Sequence, residues 1–354
     1  MGREIGVGLS GASGPAAGRA RLLLVVLGIA GVAAGCGSDQ AGPAATSRPT
    51  VAAPASGTAP PADAARLFDY DRRPPLAVTR LGSHTGRVPV EELDDATVES
   101  VTYASPKGGE VPALLVVPKG RGPFPGVIVQ HGLPDTKEGM LAAGIDLART
   151  GALAVLIDAP FNRPQQGRVR SDPLTFTPKD RDEQIQLIVD LRRAVDLLVA
   201  RSDVDRKRLA YFGVSYGAAM GGLLAGVEDR LRAYVLAVGD GGLVAHFAGP
   251  DDTDGPLQSL PAEDQERWLA AMRPIEPINY IGRAAPAALL FLAGTKDESV
   301  SQADARRYQQ AASQPKEVRW YEAGHMLNCT AREDMMVWLA RHLPIDPARS
   351  RCPP

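Results

Sequence analysis

The hydrophobic positions beyond residue 66 fall into short apolar runs of β type, which alternate with longer stretches of helical periodicity. We predict strands at 97–103, 111–117, 127–130, 153–157, 209–212, 233–238, 287–292 and 317–321. Helices are predicted at 137–149, 182–200, 218–225, 301–312 and 331–342. The turn chemistry of 106–109 makes the first two strands a hairpin, and the later alternation is typical of parallel strands. The sequence therefore predicts an α/β fold with about eight strands in a mostly parallel sheet.

One segment, 241–283, interrupts this alternation. It carries polar turns, the aromatic residues Phe247 and Trp268, and one helical stretch around 263–272. A connection of this length inside a wound sheet is usually functional or disordered, and the aromatic residues argue against full disorder. We predict a small cap insertion over the strand ends.

The first residues differ in pattern from the rest of the chain. Arginines precede an apolar run at 22–34 that ends in small residues, as in a secretory signal. The run is shorter than the roughly 20 residues that cross a bilayer, which disfavours the alternative of a retained anchor. Residues 36–66 are rich in Ala, Pro, Gly, Ser and Thr, which favours a flexible tether, or a disordered leader without a role. We therefore divide the chain into a signal peptide at 1–35, a tether at 36–66 and a folded domain at 67–354.

A cysteine closes the predicted signal peptide. Residues 33–36, Ala-Ala-Gly-Cys, resemble a bacterial lipobox, with Ala at position 33 where that motif usually holds Leu. The resemblance implies that Cys36 is lipidated and attaches an exported protein to a membrane. Plain secretion is the alternative.

Composition narrows the classes of partner. The 354 residues are 44% hydrophobic and 23% charged, which is ordinary for a globular protein, and the net charge of -2 gives no basic field for nucleic acid.

Of the three cysteines, Cys329 and Cys352 lie near the C-terminus and could form a disulfide after export, or remain free thiols. The Asp-Asp-Thr-Asp-Gly string at 251–255 resembles the opening of a calcium loop but lacks its closing glutamate, so a solvated turn is favoured. We predict no metal and no cofactor.

Ser215 is the candidate nucleophile. It stands at the centre of a Gly-x-Ser-x-Gly string, between a predicted strand and a predicted helix. A serine on such a tight turn exposes its hydroxyl, and small residues two positions away avoid collisions with the neighbouring backbone. The alternative is a tight structural turn without chemistry.

A serine nucleophile needs a base and a carboxylate to orient that base. Of the five histidines, His325 directly follows the last predicted strand, at the same sheet edge as Ser215. Asp297 follows strand 287–292 and is the predicted acid, with Asp240 after the preceding strand as the alternative. We expect His246 to line the site from the cap.

Two backbone N–H groups should stabilise the oxyanion. The N–H of Tyr216 follows the nucleophile and is the first donor. The loop after strand 127–130 should supply the second from Leu133, with Gly132 as the alternative. We expect His131 to hold this loop by hydrogen bonds and not to act in catalysis.

The region 97–342 resembles the dienelactone hydrolase and acetyl xylan esterase branch of the α/β-hydrolase superfamily. The strings that carry the resemblance are 130–133 (Gln-His-Gly-Leu), 158–160 (Asp-Ala-Pro), 213–217, 294–297 and 324–325. The resemblance implies helices on both faces of the sheet and a small-molecule ester or related acyl substrate. A peptidase like prolyl oligopeptidase, an acyltransferase and a non-catalytic binding module remain the alternatives.

Overall fold

The computed structural model describes residues 64–83, 94–164, 170, 172–249 and 254–352. The predicted signal peptide and Cys36 lie outside these residues, as does the tether apart from residues 64–66. Those three residues begin a 3-10 helix, Ala64–Phe68, in which Ala64 and Phe68 are buried. The folded part thus includes residues that the sequence assigned to the tether.

A nine-stranded sheet forms the centre of the fold, in the order β1-β2-β3-β5-β4-β6-β7-β8-β9. The strands are β1 (Thr79–Ser83), β2 (Ala96–Ala104), β3 (Glu110–Pro118), β4 (Phe124–Gln130), β5 (Leu153–Ile157), β6 (Val204–Val214), β7 (Ala233–Ala237), β8 (Ala288–Gly294) and β9 (Lys316–Tyr321). Strands β1 to β3 pair antiparallel with their neighbours, and the remaining strands run parallel to one another. The predicted mostly parallel sheet is confirmed, with β1 as an additional strand that the sequence pattern did not predict.

Helices cover both faces of this sheet. They are α1 (Leu141–Thr150), α2 (Pro178–Ala200), α3 (Tyr216–Ala225), α4 (Leu243–Phe247), α5 (Ala262–Met272), α6 (Gln302–Ala311) and α7 (Cys329–Leu339). Successive side chains of β3 point to opposite faces of the sheet. Leu115 packs into the hydrophobic core shared with α2 and α3, whereas Leu114 packs into the core shared with α1 and α7. Among the described residues, no helix is long and apolar enough to cross a membrane.

The predicted cap, 241–283, folds as α4, α5 and three short 3-10 turns, Arg273–Ile275, Pro277–Asn279 and Ile281–Arg283. Trp268 of α5 is fully buried, and its indole N–H donates to Asp180 at 2.9 Å. The ring of Phe176 packs against both Trp268 and Phe247, with centroids 5.4 and 5.3 Å apart. These contacts attach the cap to the start of α2 and to the residues just before it.

Candidate active site

Ser215 occupies the turn between β6 and α3, with the backbone angles φ 55° and ψ −119°. A positive φ is unfavourable for a residue with a side chain, and such strain is common at functional sites. A side chain at Gly213 would collide with the carbonyl of Gly217, and one at Gly217 would collide with that of Gln130. The two glycines are therefore required by the close approach of backbone that presents Ser215.

Hydrogen bonds hold the same turn. The N–H of Ser215 donates to the carbonyl of Ala237 in β7 at 2.8 Å, and the buried hydroxyl of Tyr211 donates to that of Gly217 at 2.6 Å. The strained serine is thus fixed to two strands of the sheet.

His325 and Asp297 form a hydrogen-bonded pair. Nδ1 of His325 lies 2.9 Å from Oδ2 and 3.0 Å from Oδ1 of Asp297. An ionised carboxylate only accepts, so Nδ1 carries the proton and Nε2 of the neutral ring is left as a base. Asp297 follows β8 and His325 follows β9, which are adjacent parallel strands. Their carboxyl ends bring both residues to the sheet edge where Ser215 lies.

Asp297 is itself held by the backbone. Its Oδ1 accepts from the N–H groups of Ser299 and Val300 at 2.9 and 3.0 Å. Burial raises the pKa of Asp297, but the hydrogen bonds from His325 and from these two N–H groups outweigh it, and the pKa lies below its ordinary value. The acid of the pair is therefore ionised at neutral pH.

One cavity of about 240 Å³ lies beside the candidate nucleophile and the candidate base. Ser215, Tyr216 and His325 line it together with Leu133 and residues of the cap. The described residues that line it are Leu133, Ser215, Tyr216, Ala219, Asp240, Gly242, Leu243, His246, Phe247, Ser299, Val300 and His325. A nucleophile and a base that face one cavity can act on one bound substrate.

The loop after β4 faces Ser215. A side chain added to Gly132 would come within 3.0 Å of Cβ of Ser215. The carbonyl of Gly132 accepts from Nδ1 of His131 at 2.7 Å and from the N–H of Asp135 at 3.2 Å. Carbonyl and N–H point in opposite directions across a trans peptide, so the N–H of Leu133 points away from the His131 ring. This N–H is thus not turned toward His131, and its role as the second oxyanion donor stays a prediction.

His131 is buried and holds this loop. Its Nε2 accepts from the N–H of Ala159 at 3.1 Å, so Nδ1 carries the proton that is donated to Gly132. Burial lowers the pKa of His131, which keeps the ring neutral. The contact also explains why the 158–160 string lies beside the 130–133 string.

Asp240, the alternative acid, is hydrogen-bonded to His246 and not to His325. Its Oδ2 lies 2.7 Å from Nδ1 of His246, and its Oδ1 accepts from the N–H of Gly242 at 3.1 Å. The site thus contains a second histidine–carboxylate pair, which the sequence interpretation did not predict. An aspartate just beyond a strand end, followed six residues later by a histidine, was the only signal of it in the sequence.

In the part of the chain that the structure describes, no group of three or more His, Cys, Asp or Glu residues could hold a metal ion. Residues 251–253, which begin the calcium-like string, lie outside that part. Cys329 and Cys352 form a disulfide with their Cα atoms 5.7 Å apart.

Comparison with solved structures identifies the same fold in two esterases. An acetyl xylan esterase from Paenibacillus sp. R4 is 21% identical with a TM-score of 0.59, and the alignment covers 79% of this chain and 92% of that chain. Acetyl xylan esterase 1 from Thermoanaerobacterium sp. JW/SL YS485 is 18% identical with a TM-score of 0.61, covering 81% and 96% of the two chains. At these identities the likeness is one of fold.

Comparison of sequences gives the family. "Putative hydrolase YtaP" of Bacillus subtilis (strain 168) is 27% identical in an alignment over 186 residues that covers 48% of this chain. The match spans 59% of the length of that protein. Residues 111–341, well over half of the chain and the range from β3 to the residues after α7, match the dienelactone hydrolase family. The protein therefore belongs to the dienelactone hydrolase family.

Proposed function

We propose that this protein hydrolyses a carboxylic ester or related acyl bond through a covalent acyl-enzyme on Ser215. The observation that carries the proposal is the shared cavity: Ser215 lines it from a strained turn, and His325 lines it while bound to Asp297 at 2.9 Å. A serine hydroxyl is a weak nucleophile without a base, and this arrangement supplies one. Membership of the dienelactone hydrolase family supports the same chemistry.

In the proposed mechanism, Oγ of Ser215 attacks the ester carbonyl carbon while Nε2 of His325 takes the hydroxyl proton. Asp297 stabilises the resulting imidazolium. The carbonyl oxygen becomes an oxyanion that accepts from the N–H groups of Tyr216 and Leu133. His325 then gives its proton to the departing alcohol, and water, activated by the same ring, hydrolyses the acyl-serine.

The cavity restricts the substrate. Its volume of about 240 Å³ is below the roughly 300–1,000 Å³ typical of sites for larger ligands. Apolar side chains such as Leu243, Phe247 and Val300 form much of the wall, and no Lys or Arg is among the described residues that line it. We therefore propose neutral esters of short acids as substrates.

An active-site label tests the mechanism. A fluorophosphonate probe should label the wild-type protein and leave Ser215→Ala unlabelled, and the variant should lose at least 10³-fold in kcat on nitrophenyl acetate. Hydrolysis should fall as the acyl chain of the nitrophenyl ester grows. A wild-type protein that takes no label while a control hydrolase does would be a binding module, and faster cleavage of prolyl amides than of esters would make it a peptidase.

We also propose that the protein is exported and anchored by a lipid on Cys36. The disulfide between Cys329 and Cys352 supports an oxidising compartment, because such bonds rarely persist in the cytosol. In detergent phase separation of the full chain, wild type should enter the detergent phase and Cys36→Ser the aqueous phase. Detergent-phase Cys36→Ser would contradict the lipid anchor.

A further inference from the structure

The hydroxyl of Tyr216 differs from the other tyrosine hydroxyls of the chain. All eight tyrosines lie within the residues that the structure describes. Seven of the hydroxyls donate a hydrogen bond to a carbonyl or a carboxylate, at distances of 2.6 to 3.2 Å. The hydroxyl of Tyr216 makes no hydrogen bond to any described residue. A tyrosine hydroxyl inside a protein usually has a partner, so this one requires an explanation.

Tyr216 is also the tyrosine of the cavity wall. It is 8% exposed and lines the cavity together with Ser215 and His325, and none of the other seven tyrosines is among the described lining residues. Side-chain oxygens that are sealed inside the described part without a partner include that of Thr102, and the Tyr216 hydroxyl is not one of them. The hydroxyl therefore reaches the small surface that this residue keeps, which is its surface toward the cavity.

The ring that carries this hydroxyl is held by its neighbours. It packs edge-on against Phe161, with centroids 5.8 Å apart, and Phe161 packs edge-on against the buried ring of His131 at 6.0 Å. Tyr216 also belongs to the hydrophobic core shared by α2 and α3. A donor that is already fixed in place can select a substrate, because little conformational entropy is lost when it binds.

The hydroxyl of Tyr216 remains protonated. Burial raises the pKa of Tyr216 above its ordinary value, and the nearby carboxyl groups of Glu183 and Asp180 raise it further. A neutral phenol without an acceptor inside the protein can donate to an acceptor in a bound molecule. A carboxylate in that position would need a compensating positive charge, and no Lys or Arg is among the described residues that line the cavity. The acceptor that fits is therefore a neutral oxygen.

The position of Tyr216 in the chain places the hydroxyl close to the reacting group. The N–H of the same residue is the predicted first oxyanion donor, next to Ser215. The hydroxyl thus lies no farther from the ester carbonyl than one tyrosine side chain and one hydrogen bond. A substituent only a few bonds away from the ester can reach it.

We propose that the Tyr216 hydroxyl donates a hydrogen bond to a neutral substrate oxygen outside the ester group, so that oxygen-substituted short esters are preferred over hydrocarbon esters of the same shape. The inference rests on the proposed ester hydrolysis and specifies its substrate class as alkoxy, hydroxy or keto esters. The oxygen can belong to the acyl group or to the alcohol. Through its side chain, Tyr216 is a specificity-determining residue.

Two pairs of esters distinguish these positions of the oxygen. Ethyl methoxyacetate against ethyl butyrate tests an oxygen in the acyl group, and 2-methoxyethyl acetate against butyl acetate tests one in the alcohol. Within each pair an ether oxygen replaces one methylene group, and the ratio of the two kcat/KM values is the preference. Tyr216→Phe keeps the ring and the backbone N–H but removes the hydroxyl. Its preference should be about tenfold lower than that of wild type in one of the two series.

Tyr70→Phe is the matched control. The hydroxyl of Tyr70 donates to Asp196, and neither residue is among those that line the cavity. This variant should keep the wild-type preference in both series. An unchanged preference in both series for Tyr216→Phe would overturn the inference.

Thermal stability tests whether the protein itself binds the Tyr216 hydroxyl. Tyr216→Phe removes no hydrogen bond within the described part of the protein, so its Tm should not fall below that of wild type. In Tyr308→Phe, by contrast, a buried hydroxyl that donates to the carbonyls of Ala218 and Ala219 is lost, and the Tm should fall by about 3 °C. An equal fall for Tyr216→Phe would mean that the hydroxyl is bound internally and would contradict the inference.

Ser215→Ala separates this inference from the proposed function. Loss of hydrolysis in that variant tests the function, whereas the preferences test the Tyr216 hydroxyl. Affinity for the same esters, measured by NMR titration of Ser215→Ala protein, reports the contact without turnover. Tighter binding of the ether ester that is lost on adding Tyr216→Phe supports the inference, and equal affinities for ether and hydrocarbon esters in both series refute it.

Discussion

Asp297 and Asp240 have the same side chain and similar positions beyond adjacent parallel strands, yet they orient different imidazoles. Each accepts backbone N–H groups with Oδ1 and holds a histidine with Oδ2, and Oδ1 of Asp297 also lies 3.0 Å from Nδ1 of His325. Because the backbone fixes the carboxylate, the choice of partner follows from the loop in which the aspartate lies. Asp297 is bound within its own loop at residues 299 and 300, which turns it toward β9 and His325.

This geometry predicts a large effect of Asp297→Asn. The amide oxygen would remain with the N–H groups of Ser299 and Val300, and the amide NH₂ would face Nδ1 of His325. The imidazole would then carry its proton on Nε2 and could not accept one from Ser215. We expect kcat on nitrophenyl acetate to fall by about 10⁴-fold with little change in thermal stability.

The adjacent carboxylate provides the control for that experiment. Glu298 is exposed, and Glu298→Gln should stay within about threefold of wild type, since it removes the same charge without touching His325. If Asp297→Asn kept more than a tenth of the wild-type kcat, the assignment of Asp297 as the orienting acid would be wrong.

Gly132 allows a test of the loop after β4, whose predicted oxyanion donor is the backbone N–H of Leu133. A Cβ at this position would lie 3.0 Å from Cβ of Ser215 and 3.2 Å from the Val214 carbonyl, so Gly132→Ala pushes the loop away from the nucleophile. Displacing the Leu133 N–H should cost about 3 kcal/mol of transition-state stabilisation, or roughly 10²-fold in kcat, with KM much less affected.

Gly324→Ala is the matched control for the loop. Gly324 directly precedes His325. The nearest neighbour of a Cβ added at Gly324 would nevertheless be the carbonyl oxygen of Lys296 at 3.5 Å, which is an ordinary contact. The kcat of Gly324→Ala should remain near the wild-type value. A rise in KM at unchanged kcat for Gly132→Ala would instead indicate that the loop binds substrate and does not stabilise the oxyanion.

At the scale of elements, α4 depends on a buried carboxyl from another part of the cap. The pKa of Glu276 is raised to about 8, mainly by burial; the N–H groups of Val244 and Ala245 oppose this rise, and the nearby charge of Asp240 adds to it. The folded protein therefore retains this proton at pH values where the unfolded chain, with its ordinary pKa of 4.5, has lost it. A group of this kind makes stability fall as the pH rises between those two values.

We expect Glu276→Gln to remove that fall, because the amide cannot ionise. Between pH 5 and pH 8 the free energy of unfolding of wild type should drop, relative to the variant, by on the order of 4 kcal/mol. Urea denaturation at a series of pH values measures this difference. Glu266→Gln, at a position 73% exposed in α5, should follow the wild-type curve, and parallel curves for wild type and Glu276→Gln would refute the prediction.

The strands also show which parts of the fold sequence patterns are sufficient to predict. Buried strands such as β5 and β8, with every residue buried, are visible as apolar runs, and the end of β8 determines where Asp297 lies. In contrast, β1 has the sequence Thr-Arg-Leu-Gly-Ser and lies at the sheet edge, so it has no apolar run and was not predicted. The Asp240–His246 pair could not be predicted because it depends on how α4 folds back over the strand ends. That arrangement depends on Glu276, which follows Val244 of α4 by 32 residues in the chain, and not on any local pattern.

At the scale of the whole molecule, the C-terminal tail is bound to the body of the fold by a buried carboxylate. Asp146 of α1 is fully buried and accepts from Nε of Arg332 in α7 at 2.8 Å. It also accepts from the hydroxyl of Ser350 at 2.7 Å and the N–H of Arg351 at 2.8 Å. The carboxylate of Asp146 thus joins α1, α7 and the C-terminal tail. The tail continues to Cys352, which forms the disulfide with Cys329 at the start of α7.

The disulfide between Cys329 and Cys352 joins the tail to the helix that follows His325, across a sequence separation of 23. Closing a loop of that length should stabilise the folded state by about 3 kcal/mol on the chain-entropy account. For a domain of this size that corresponds to a Tm lower by about 5 °C in the double variant Cys329→Ser, Cys352→Ser. Dithiothreitol should lower the Tm of wild type by the same amount and leave the double variant unchanged.

Because Asp146 holds the tail through separate hydrogen bonds, kcat at 25 °C should change less than twofold in the double variant. A double variant as stable as wild type would mean that those hydrogen bonds alone retain the tail.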